Sequence, residues 1–115
     1  MKRDGGLHMN ALSEADLAAL RLSCQVLAHK AAVAALPRVE MFFETIGADV
    51  EAETAARGQR GQAGESVADP WRIVQLTPVD RAAIRAYLEL LSSNERLSPA
   101  VREFVRDLRR AERLS

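Results

Sequence analysis

Residues 13–36 read SEADLAALRLSCQVLAHKAAVAAL, and the way this stretch is buried decides the fold. Ser13 stands where an N-cap side chain accepts a hydrogen bond from an early backbone N–H. Asp16, three residues on, completes a short capping box, and Leu12 and Leu17 hold the two positions of a hydrophobic staple. At about 100° per residue, Leu17, Leu20, Cys24, Leu27, Ala28, Ala31 and Ala34 form one apolar stripe. Leu22, Val26 and Val33 form a second patch nearly opposite, with His29 at its edge. Arg21 and Gln25 mark one seam between the two, Ser23 and Lys30 the other. A surface helix needs one apolar stripe, and a helix apolar on two sides is ordinarily buried on two sides. The spacing therefore predicts a central helix over 13–36. Leu22, Val26, His29 and Val33 are its candidates for contact with a second copy of the chain.

Pro37 ends that helix. In a helix interior it removes a hydrogen bond and clashes one turn back, at a cost of about 3 kcal/mol. It also biases Leu36 away from helical angles. A corner is expected, with Pro37 as the first residue of a second helix running to about Arg57. Leu36 is a poor N-cap, which leaves a single kinked helix as the alternative. The second helix buries Val39, Phe42, Phe43, Ile46 and Val50, and its polar last two turns project beyond the core. Gly47 marks a close helix crossing. Glu40, Glu44 and Glu51 align as an acidic stripe on one flank, with Asp49 and Glu53 on the outer face.

Residues 58–70 form a mobile, glycine-containing linker, and residues 1–11, with Gly5 and Gly6, a loose tail. WRIVQL (71–76) has no second strand to pair with, so an extended segment is expected, with Trp71 packed over the helices. Thr77-Pro78-Val79-Asp80 starts a third helix: N-cap, proline at the first position, an acid at the third. Its apolar face holds Ala83, Ile84, Tyr87, Leu88, Leu90 and Leu91. Ser98-Pro99 starts a fourth, with Val101, Phe104, Val105 and Leu108 as its core stripe. The chain reads as one all-α domain over 1–115, a small bundle of about four helices in two hairpins, which self-associates.

The bulk numbers exclude more than they assign. Charged residues make up 28% of the chain and cancel in sign, so composition supplies no general attraction to nucleic acid or anionic membrane. The single Cys24 excludes an internal disulfide framework and a Cys-rich zinc site. No uncharged apolar run approaches the roughly 20 residues of a membrane helix. Lys2 and Arg3 lead into Asp4-Gly5-Gly6 and not into an apolar segment, so no signal peptide is expected and a cytoplasmic location is.

No catalytic constellation is present in the pattern. There is no Ser/His/Asp or Cys/His set, and Gly58, Gly61 and Gly64 follow a helix where a phosphate-binding loop follows a strand. His8 and His29 lack companion ligands, and the Glu-x-x-His pattern of carboxylate-bridged metal bundles is missing. No catalytic, metal or cofactor site is expected. Cys24, in mid-stripe, reads as a small buried hydrophobe.

The last helix carries the most suggestive charge pattern. Arg102, Arg106, Arg109 and Arg113 fall within about 60° of one another. Facing Glu40, Glu44 and Glu51, within one chain or across a dimer, they would form an ion-pair network that sets which helices meet. The function expected is thus a non-enzymatic protein–protein interaction module, an adaptor or regulatory subunit, that forms a homodimer and binds a protein partner. The alternative is a small DNA-binding regulator that lays the arginines against phosphates. Against it stand the neutral net charge and the connection from Ser92 to Leu97, which is long for a helix-turn-helix.

Overall fold

The capping box at Ser13 forms as its sequence implies. The Ser13 hydroxyl accepts the Asp16 N–H at 3.0 Å, and the Asp16 carboxylate accepts the Ser13 N–H at 3.0 Å. These bonds satisfy two of the backbone donors a helix leaves open at its start. They open the first element of the computed structural model, which describes Met9, residues 11–60 and residues 70–112. In chain order the helices are α1 (Glu14–Val33), α2 (Pro37–Arg60), α3 (Pro70–Ile73), α4 (Pro78–Ser92) and α5 (Pro99–Ala111). No strand occurs among the described residues, and the protein is all-α.

Pro37 does begin a new helix, but α1 stops three residues before Leu36. Ala34 caps it, and Ala35 takes a left-handed backbone with φ of 62°. The Leu36 N–H then donates to the Ala31 carbonyl at 2.9 Å and the Ala35 N–H to the Ala32 carbonyl at 3.1 Å. This pair of bonds is the Schellman motif, whose left-handed position is ordinarily glycine. The third long helix begins with a second capping box, between Thr77 and Asp80, and the fourth with the Ser98 hydroxyl accepting the Val101 N–H at 3.1 Å.

Packing departs from the expected centre. α1 packs along α2 and α4 along α5, as two hairpins. The helix that joins the most neighbours is α2, which packs on α1, α3 and α4, whereas the main contacts of α1 are with α2 and α5. The reason lies in side-chain size: α2 supplies Val39, Phe42, Phe43, Ile46 and Val50, all fully buried. Its aromatic rings reach outward, Phe42 to Trp71 at 4.7 Å and Phe43 to Tyr87 at 6.0 Å between centroids. α1 offers mainly Leu and Ala on its buried face and closes one side of the bundle.

Trp71 lies over the helices as expected, but on a single helical turn, α3, and not on an extended segment. Its indole N–H donates to the Leu108 carbonyl at 2.8 Å. Trp71 thus satisfies a carbonyl that the end of α5 leaves open, as a buried polar group requires.

Three further expectations change. Met9 is buried, so the loose tail does not extend through residue 11. The polar end of α2 does not project freely: the Arg57 guanidinium donates to the Met9 and Leu12 carbonyls at 2.7 and 2.5 Å and to Glu53 at 2.9 Å. Glu53 therefore faces this junction and not the outer face. Leu90 is exposed, because the face of α4 that meets the core is narrower than its apolar composition suggests. Gly58 belongs to α2, and the rest of the expected linker up to Asp69 is helix end or lies outside the described residues.

Candidate interaction surfaces

The outer face of α1 is the first surface. Leu22, Val26 and Val33 are 61%, 48% and 75% exposed, and His29 is exposed beside them. The rotation read from the sequence is right for Leu17, Leu20, Cys24, Leu27, Ala28 and Ala31, which are all buried, but Ala34, expected in the same stripe, is the C-cap past the end of α1 and is exposed. Burial on the second side is not found within the chain, so the expected two-sided helix is corrected to a one-sided one. The same 3.6-residue period that puts six side chains into the core leaves these apolar groups to solvent.

A groove of about 420 Å³ between α1 and α2 is the second surface. Cys24, Ala28, Phe43 and Gly47 lie at its apolar floor, and Glu40, Glu44 and Glu51 line its α2 side. Gly47 does lie at the crossing, but a Cβ added there would stand 3.7 Å from the Cys24 Cβ, an ordinary van der Waals contact, so the approach does not require glycine. Glu51 reaches across to Arg21 of α1 at 2.9 Å. The acidic stripe exists, but it turns toward α1.

The arginines of α5 form the third surface, a groove of about 470 Å³ against α4 lined by Arg85, Arg106, Arg109 and Arg110. Each has an acid close by. Arg109 pairs with Glu89 of α4 at 2.7 Å, Arg106 with Glu103 at 3.1 Å, Arg85 with Glu112 at 2.7 Å, and Arg110 with Asp107. The expected network between these arginines and Glu40, Glu44 and Glu51 does not form within one chain. Acids nearer along the same hairpin neutralise the arginines first. Arg102 is half-buried with its Nε in no hydrogen bond, and Arg113 lies outside the described residues.

Three titratable groups among the described residues depart from their ordinary values. Burial pushes the Cys24 thiol up to about 12, which removes thiolate character at neutral pH. Burial also raises the Asp49 carboxyl, whose Oδ2 is enclosed without a hydrogen-bond partner. Asp49 therefore does not lie on the outer face of α2 where its position along the helix suggests. Asp16 is lowered by its bond from the Ser13 backbone and by the Ser98 hydroxyl at 2.7 Å. That second bond joins the starts of α1 and α5, a role no local spacing signals.

No group of three or more His, Cys, Asp or Glu side chains placed to hold a metal ion occurs among the described residues. No described helix is long and apolar enough to cross a membrane. Comparison with protein-family models, with curated proteins and with solved structures finds no match.

Proposed function

We propose that the chain is a non-enzymatic protein–protein interaction module, an adaptor or regulatory subunit, that self-associates through the outer face of α1. The observation that carries this reading is the solvent exposure of Leu22, Val26 and Val33 along one helix that is otherwise well packed. Three apolar side chains along one helix face, with His29 as the polar side chain among them, are more than the scattered exposed residues that any surface tolerates. The acid-flanked groove beside that face suits a basic segment of a protein partner.

The groove of arginines supports a second reading, a small DNA-binding regulator. Its charges are already paired with acids, which weakens the phosphate attraction that such a protein needs. Sedimentation velocity over a range of concentrations tests the first reading, with a rising sedimentation coefficient expected. A single-chain value throughout contradicts it. Fluorescence anisotropy with labelled duplex DNA tests the second: salt-sensitive binding abolished by Arg106→Glu and Arg109→Glu would establish it in place of the first.

A further inference from the structure

Counting 100° per residue, a sector of about 100° on the outside of α1 contains no Asp, Glu, Lys or Arg from residue 15 to residue 33. That is five turns, about 27 Å of helix. Its only polar side chain is His29. The large and small side chains are distributed unevenly along it. Ala15, Ala18 and Ala19 occupy the N-terminal end, Leu22 and Val26 the middle, and His29 and Val33 the C-terminal end. All are exposed except Ala19, which is half-buried.

From this distribution we infer that the occupant of the face is a second copy of α1 lying antiparallel, with the two-fold axis at the level of residue 24. The inference rests on the self-association reading and adds its geometry. An isologous contact pairs residue i with j and j with i. With the axis at 24, Val33 meets Ala15 of the other copy, Leu22 meets Val26, and His29 lies beside Ala18 on the same edge, one residue out of level. Every large side chain then faces a small or medium one, so the two helices approach evenly along their length. A parallel pair would stack Val33 on Val33 and Ala15 on Ala15. One end would be held apart and the other left gapped, forfeiting contacts that close packing requires.

Charge on the flank agrees. Asp16 and Lys30 lie along the same edge of the sector, and a two-fold axis brings like edges together. In the antiparallel pair, Lys30 of each copy comes within about 3 Å, along the axis, of Asp16 of the other. Asp16 already accepts bonds from Ser13 and Ser98, and a carboxylate has acceptor sites to spare. One helix width over 27 Å covers on the order of 300 Å² per chain in projection, well under the roughly 800 Å² per partner of a standard specific interface. The dimer is therefore a reversible one.

Disulfide trapping tests the register, using chains that keep Cys24, whose thiol is buried out of reach. Cysteines bridge only when their Cα atoms lie within about 7 Å. Under mild oxidation, mixed Val33→Cys and Ala15→Cys chains should form a mixed disulfide dimer, as should mixed Leu22→Cys and Val26→Cys chains. Val33→Cys alone should give none. Crosslinking of Val33→Cys to itself overturns the antiparallel register. A dimer by light scattering in which no α1 pair crosslinks places the contact on another face and also overturns it. A monomer by light scattering overturns the self-association reading itself.

Discussion

Cys24 and Asp49 show how much one buried atom decides. Cys24 lies in the α1 stripe against α2, and its thiol stays protonated at neutral pH. A thiol reagent at pH 8 should label it slowly in the folded protein and rapidly in denaturant. The same shift carries a stability consequence. The unfolded thiol ionises near 9 while the folded one holds its proton to about 12, so the unfolded state sheds protons first. Stability should fall as pH rises through that window, and less steeply in Cys24→Ala. Asp49 has its carboxyl raised in the same sense, so the folded state prefers it protonated. Whatever it contributes is present below the ordinary carboxylate range near 3.8 and is lost as pH rises. Asp49→Ala should therefore stabilise the protein at pH 7 and do so less at pH 3. Helix propensity adds a pH-independent gain of about 0.5 kcal/mol. Chemical denaturation at the two pH values reads the difference.

Helix starts and helix ends were unequally legible. Ser13 with Asp16, Thr77 with Asp80, and Ser98 with Pro99 are local patterns, and each forms the cap its spacing implies. The end of α1 is different, because its left-handed turn falls on Ala35, where no glycine signals it. An alanine there carries a steric cost of about 1–2 kcal/mol, partly offset because glycine is more flexible when unfolded. Ala35→Gly should raise stability by about 0.5–1 kcal/mol, measured as a shift of the thermal midpoint upward. A fall would mean that the Schellman turn is not the conformation in solution. The helical turn at Trp71 and the grip of Arg57 on the Met9 and Leu12 carbonyls depend on partners 37 to 48 residues away. No local period carries such information.

At the scale of the molecule, hydrophobic periodicity sorted the faces of α1 correctly but could not say what covers them. The second stripe was legible as apolar; that the chain itself leaves it open follows only from the packing of α2 at the centre. The charged stripes met the same limit. Their faces were legible, but nearer acids, Glu103 on α5 and Glu89 on α4, take Arg106 and Arg109, which a matching of stripes assigned to α2. Fully burying a Leu or Val side chain is worth about 1.5–3 kcal/mol. Three of them per chain offset a good part of the cost of association.

Light scattering coupled to size exclusion, on the native chain beside Leu22→Glu, addresses the central claim most directly. Leu22 points to solvent, so the substitution should leave the helical circular dichroism and thermal midpoint nearly unchanged. The native chain should approach twice its 12.6 kDa mass as concentration rises, and the variant should remain at a single chain. A native chain that stays at 12.6 kDa throughout, or a variant that dimerises as well as the native chain, would contradict the account.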